Sequence, residues 1–239
     1  MHILTQEGGD VAALHYGFFE HEHEPLGDAQ ERATSMLLER LPIPPARILD
    51  AGCGLGTTLA KLLARGYDAI GINPDAKQIA MAQVPIVCAR FEDLEPSTFD
   101  AIVFQESSQY IDANALFAKA REMTSHVIVF DEFAMHVAPP PSAERAAGGG
   151  GATLLHSYDA FVEAARTNGF AIAEDLDVSQ RATPSIDYFQ PRFERYRKSL
   201  IADLGVTNEQ IDALIQSGVE NRARYASGAY TYRVMQFRR

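Results

Sequence analysis

Cysteine is scarce: Cys53 and Cys88 are the only two in 239 residues. Neither belongs to a CxxC pair, so neither a disulfide framework nor a zinc knuckle is expected. Basic charge is also short, with 21 Lys and Arg against 32 Asp and Glu, a net charge of −11 and a pI near 5.1. A field of that sign repels phosphate backbones and anionic lipid, which argues against nucleic acid and membrane surfaces as partners. No apolar run approaches the roughly 20 residues that span a bilayer. Met1-His2-Ile3-Leu4-Thr5 opens with neither a basic stretch nor an apolar core, so no secretory leader is expected and the cytoplasm is the expected location. No internal repeat is visible. His21-Glu22-His23-Glu24 would put two imidazoles on one side of an extended segment. No third ligand cluster accompanies them, so no metal is expected.

What is present is enough apolar material, 46%, for a large core, with an ordinary charged fraction of 22%. The length suits one α/β domain, residues 1–239, with an elaboration or lid. Ala33, Met36, Leu37 and Leu41 recur at helical spacing over Asp28–Leu41, and Pro42, Pro44 and Pro45 stop that helix. A regular alternation follows. Strands are expected at Ala46–Ala51, Asp68–Ile72, Pro85–Ala89, Phe99–Gln105 and Ser125–Phe130, with helices at Thr57–Ala64, Asp75–Ala82 and Ala113–Met123. Short, continuously apolar strands between helices indicate a parallel sheet covered on both faces. Residues 139–151, with three prolines and four glycines at their ends, read as a mobile loop. Beyond it, Ser157–Thr167 reads as a helix, Phe170–Val178 as a strand, 184–226 as two amphipathic helices and Ala229–Phe237 as a last strand. That makes seven strands.

The sharpest local signal is Ile48-Leu49-Asp50-Ala51-Gly52-Cys53-Gly54-Leu55-Gly56-Thr57, at the end of the first strand and the start of a helix. Gly52 and Gly54 permit a tight turn and let a ligand approach the backbone. In open parallel sheets, ligands bind beyond the carboxyl ends of the strands. A dinucleotide fingerprint is GxGxxG, which seats a pyrophosphate on the helix N-terminus. Here the spacing is GxGxG, and Asp50 precedes it. An acid there disfavours phosphate and suits a cationic amino group.

With these features the chain resembles the class I S-adenosylmethionine-dependent methyltransferases over roughly residues 15–178. It is most similar to the group of tocopherol, sterol and sugar O-methyltransferases and cyclopropane-fatty-acid synthases. The resemblance implies a Rossmann-like sheet in order 3-2-1-4-5-7-6 with the last strand antiparallel, and a helical lid from residues 1–27 and 184–226. It implies S-adenosylmethionine as cofactor, held by Asp50, Gly52, Cys53, Gly54 and Gly56 of the loop and by Gln105. Asn73 stands where most methyltransferases place an acid for the ribose. With Gln78 five residues on, two neutral amides would hold the diol instead. In Ala89-Arg90-Phe91-Glu92-Asp93, Phe91 would pack on the adenine and groups around Glu92 would read its edge. His15-Tyr16-Gly17-Phe18-Phe19 is similar to the segment that closes over the cofactor, with Tyr16 on the methionyl carboxylate. Cys53 is a common filler of that loop and is not expected to be a nucleophile.

Methyl transfer is a displacement in which the protein supplies position and electrostatics. Gln109 and Tyr110, after the fourth strand, are the expected acceptor contacts. They stand where sugar methyltransferases of the group often show histidines. Asp131, expected to end the fifth strand, and His136 on the loop after it are the candidate acid and base, since an ordinary histidine titrates near 6.5. Arg192, in a stretch that mixes aromatics with bases, is a candidate for a substrate carboxylate. The expected reaction is methylation of oxygen or nitrogen in a small, secondary-type metabolite, by a monomer or homodimer. The alternatives are carbon methylation or cyclopropanation of a lipid-like alkene, a non-catalytic cofactor-binding protein, and a dinucleotide oxidoreductase.

Overall fold

The computed structural model describes residues 3, 13–21, 23–135 and 155–239. His136 and the proline- and glycine-rich stretch 139–151 lie outside the described residues. Seven strands form one sheet in order β3-β2-β1-β4-β5-β7-β6: β1 Arg47–Ala51, β2 Asp68–Asn73, β3 Val87–Cys88, β4 Ala101–Gln105, β5 His126–Ala134, β6 Ala171–Asp177 and β7 Tyr230–Arg238. The pairs from β3 to β5 are parallel, and β7 runs antiparallel to both β5 and β6. This is the expected order and direction. Helices α1 Leu26–Leu38, α2 Thr57–Ala64, α3 Ala76–Ile79, α4 Ala113–Met123 and α5 Tyr158–Thr167 cover the sheet.

The apolar strands feed two cores, one on each face. Neighbouring residues alternate between them: Ile48, Val103, Ile128 and Val234 face one core with Phe18, Leu37 and Leu62. Leu49, Ile102, Val127 and Met235 face the other with Phe117 and Phe161. Covering both faces is why these strands read as unbroken apolar runs instead of alternating ones.

Two expectations need correction. β5 was expected to stop at Phe130 but continues to Ala134, because β7 pairs with it all the way from His126↔Arg238 to Ala134↔Tyr230. Asp131 is therefore inside the strand and not at its end. The insert before β7 has three long helices, not two: α7 Pro184–Arg195, α8 Arg197–Leu204 and α9 Asn208–Ala226, after a one-turn α6 Ser179–Ala182. Gly205, at φ 68, ends α8 in the left-handed region. Thr207 and Gln210 then form a capping box that starts α9. Apolar periodicity runs through these breaks because Leu200 of α8, Ile211 of α9 and Phe189 and Phe193 of α7 all meet in one cluster with Ile3.

The chain before α1 is tied to that insert. Phe19 N–H donates to the Arg181 carbonyl at 2.8 Å, and Gly17 N–H donates to Ser185 Oγ at 2.9 Å. Phe19, Leu26 and Ala29 pack with Tyr188 and Phe189 of α7. Among the described residues, no helix is long and apolar enough to cross a membrane.

Candidate active site

A cleft of about 800 Å³ opens beyond the carboxyl ends of β1, β2 and β4. The turn after β1 forms its floor. Gly52 sits at φ 77, and a Cβ there would lie 2.4 Å from the Cβ of Ser107. Gly54, at φ 56, needs the same left-handed freedom. Gly52 and Cys53 both donate their N–H groups to the Ile72 carbonyl, at 2.9 and 3.0 Å, which fixes the turn against β2.

Most of the sequence-predicted cofactor residues line this cleft: Asp50, Gly52, Cys53, Gly54, Asn73, Gln78, Phe91, Glu92 and Gln105. Gly56 does not line it; it precedes α2 and packs under Val84 and Ile86. Asn73 Nδ2 donates to Gln78 Oε1 at 2.9 Å and to the Gly54 carbonyl at 2.8 Å. The two amides thus form a pair at the end of β2, and Gln78 keeps its Nε2 donors for a ligand. Phe91 is buried edge-on against Phe104, with ring centroids 5.0 Å apart. The Cys53 thiol is pushed up in pKa by burial and by neighbouring Asp50, which suits filler and not a nucleophile.

Two polar atoms in the cleft are buried without a partner, Asp50 Oδ2 and Gln105 Nε2. Gln105 Oε1 accepts from Thr58 Oγ1 at 2.8 Å, so its amide donors point the other way. Burial raises the Asp50 carboxyl to about 7. A buried carboxylate with an empty lone pair beside a buried orphan amide is costly unless a ligand completes it. An amino acid ammonium and carboxylate are of the right kind for the two groups. On this test the residues present fit the aminoacyl end of S-adenosylmethionine.

Past β4 the wall changes character. Ser107, Gln109, Tyr110 and Ile111 line the cleft from a one-turn 3-10 helix, Ser108–Tyr110. Asp131 holds that turn from below. Its Oδ2 accepts from Ser108 N at 3.0 Å, Ser108 Oγ at 2.6 Å and Gln109 N at 3.3 Å, while Oδ1 accepts from Glu132 N at 2.9 Å. Burial pushes Asp131 up to about 7 against those bonds. It is fully buried and does not line the cleft. His156, which sequence reading passed over, approaches the Ser108 carbonyl with Nε2 at 3.1 Å. Arg192 lies away from the cleft on α7, its guanidinium 3.5 Å over the Tyr188 ring. Tyr16 is half-buried, stacked on Tyr232 at 5.7 Å, and is not among the cleft-lining residues.

The residue that sequence reading missed is Glu106. It follows β4 directly, lines the cleft, and sits at φ 55, where a non-glycine residue is strained. Its Oε1 accepts from Tyr16 N–H at 2.6 Å and from the Tyr232 hydroxyl at 2.7 Å. Burial raises it to about 8, helped by Asp131 and Glu132. A half-buried, strained carboxyl with a raised pKa is what proton-transfer sites are made of. The only sequence signal was an acid one position past an apolar strand.

Residues 49–126 match the sequence model of a family described as a methyltransferase domain. Among solved structures, the chain is similar to the cyclopropane synthase MmaA2 from Mycobacterium tuberculosis, with TM-score 0.81 and 15% identity over 95% of this chain and 90% of that one. It is similar to the [4+2]-cyclase SpnF, with TM-score 0.78 and 18% identity over 99% and 92%. It is also similar to geranyl diphosphate C-methyltransferase from Streptomyces coelicolor A3(2), with TM-score 0.70 and 16% identity over 99% and 96%. None of the curated proteins matches the sequence. The matched segment is a methyltransferase domain, and the whole chain has the fold of these structures, with the sheet order found here.

Proposed function

We propose that the chain methylates a small molecule held between the end of β4 and the lid, and that Glu106 accepts the proton the acceptor loses. The lid would be residues 1–27 together with the insert. The observation that carries this reading is the pairing, in one cleft, of the orphaned Asp50 Oδ2 with a raised carboxyl at Glu106. When bound, S-adenosylmethionine supplies an electrophilic methyl on a sulfonium. The chain's own residues position it: Asp50 takes the ammonium, Gln105 the carboxylate, Asn73 and Gln78 the ribose, and Phe91 the adenine ring. Tyr16 would order the lid over the cofactor through its backbone bond to Glu106. Gln109 and Tyr110, set in place by Asp131, would face the acceptor.

In this reading Asp131 is a positioning residue. All its bonds go to the turn and to its own strand. Oxygen, nitrogen and carbon acceptors are all chemically open to a site with one such base. Carbon chemistry is the activity named for two structural neighbours, the cyclopropane synthase and the C-methyltransferase. A non-catalytic cofactor-binding protein would have no use for a strained, desolvated Glu106 carboxyl.

Calorimetry with S-adenosylhomocysteine tests the cofactor half. Binding is expected, and Asp50→Asn is expected to weaken it about tenfold to a hundredfold by removing one charge-assisted bond. Because Asp50 must be ionised to meet an ammonium, affinity is expected to fall as pH drops below about 7. Saturating ligand with no heat and no melting shift would end the reading.

A further inference from the structure

We propose that this chain holds the ribose of its cofactor by donating to it, through the Nε2 group of Gln78 that Asn73 sets in place, and that it therefore accepts adenosine ligands whose ribose hydroxyl is capped by an alkyl group. The inference rests on the methyltransferase reading and deepens it, because it assigns how the cofactor is selected.

A ribose hydroxyl can be bound in two ways. Its proton can go to an acceptor, or its oxygen can take a proton from a donor. A carboxylate, the group that most methyltransferases place where Asn73 stands, is acceptor-only and takes the hydroxyl protons. Such a site rejects a ribose oxygen that carries carbon in place of hydrogen. An amide NH2 group makes the opposite demand. It needs an oxygen lone pair, and an ether oxygen supplies one as a hydroxyl does.

Backbone groups decide which of the two this site offers. The Gly54 carbonyl can only accept, so the Asn73 atom 2.8 Å from it is the nitrogen, Nδ2. The Asp75 N–H can only donate, so the Asn73 atom 3.0 Å from it is the oxygen, Oδ1. The second N–H of Nδ2 then points at Gln78 and holds its Oε1 at 2.9 Å. Asn73 is 5% exposed, and both its donors are spent. A second distance agrees with this orientation. A Cβ on Gly54 would lie 3.8 Å from Gln78 Oε1, so the oxygen is the Gln78 atom that faces the glycine turn. Nε2 is turned the other way. Gln78 is half-buried and lines the cleft, and among the described residues no group takes its Nε2 hydrogens.

The short helix α3 that carries Gln78 is fixed by the same turn. Asp75 Oδ1 caps it, accepting from Lys77 N at 2.8 Å and Gln78 N at 3.3 Å. Asp75 also lines the cleft. Its carboxylate is the rival partner for the ribose, an acceptor that would demand the hydroxyl protons. The two partners predict opposite responses to a capped hydroxyl.

The test is calorimetric binding of S-adenosylhomocysteine, its two ribose monodeoxy analogues and its two ribose mono-O-methyl analogues. At the hydroxyl that Gln78 meets, the deoxy analogue is expected to bind about threefold to tenfold more weakly than S-adenosylhomocysteine, the worth of one neutral hydrogen bond. The O-methyl analogue keeps that bond. Gln78→Glu has the same shape and exchanges the donors for a carboxylate. It is expected to shift the ratio of O-methyl to deoxy affinity about tenfold against the ether. The methyl group has the same volume in both proteins, so crowding cancels from the comparison. Gln78→Met removes the amide and adds no charge, and serves if the first variant does not fold; the deoxy analogue is then expected to bind as tightly as S-adenosylhomocysteine. Asn73→Asp tests the positioning role. The new carboxylate can only accept, so the Gln78 amide turns over, and the same shift against the ether is expected with Gln78 intact. A ratio unchanged in Gln78→Glu or in Asn73→Asp, a deoxy penalty that survives Gln78→Met, or no deoxy penalty in the parent protein overturns the proposal. S-adenosylhomocysteine itself failing to bind would instead remove the methyltransferase reading beneath it.

Discussion

At the residue scale, burial sets the chemistry more than residue type does. Glu106, Asp131 and Asp50 are ordinary acids by composition, yet each is held near neutrality by the apolar sheet ends around it. The consequence for stability has a definite sign. Glu106 binds its proton more tightly folded than unfolded, from 4.5 to about 8. Its contribution is therefore present below the unfolded value and lost as pH rises through the folded one. Glu106→Gln keeps an acceptor for Tyr16 N–H and the Tyr232 hydroxyl while removing the titration. Melting curves of both proteins are expected to agree near pH 4.5, with the variant increasingly the more stable toward pH 8. A gap that stays constant with pH would show that burial is not the cause of the shift. Most of the cleft lining was legible at this scale because its residues cluster in a few short stretches. Glu106 was not legible, because its significance comes from Tyr16 and Tyr232, which are 90 and 126 positions away.

At the element scale, the site depends on turns that hold strand ends at fixed distances. The turn after β1 is closed by contact between Gly52 and Ser107, and so by the spacing of β1 and β4. Gly52→Ala puts a Cβ 2.4 Å from Ser107 Cβ at a φ of 77. It is expected to cost about 1–3 kcal/mol for the backbone alone, and to abolish S-adenosylhomocysteine binding in calorimetry while far-ultraviolet circular dichroism stays native. Binding at the parent affinity would mean that the loop gives way freely. Asp131 shows how an element reassigns a residue. One expected at the end of β5 reads as a catalytic acid; one three residues inside β5, bonded to the Ser108 turn, reads as its anchor. The difference arose because sequence gave no notice that β7 would extend β5 by pairing with it as far as Ala134.

At the scale of the whole molecule, residues distant in sequence close the site. The segment before α1 reaches the insert through Gly17 and Ser185, 168 positions apart, and reaches β4 through Tyr16 and Glu106. Ser185 is fully buried, so Ser185→Ala strands the Gly17 N–H and is expected to cost about 1–3 kcal/mol. Hydrogen exchange should then speed up at Gly17 and Phe19 before it does in β1 or β4. Equal acceleration everywhere would mean that the contact is part of global stability and not of the lid.

The sequence by itself determined the alternation of elements, the seven strands, the glycine turn and the cofactor class, because each is written in local periodicity or in a motif a few residues long. Tertiary structure alone decided which carboxyl lines the cleft and which one props the turn. Those properties depend on desolvation and on partners brought together from β4, β5, β7 and the chain before α1, and neither is encoded within reach of any local window.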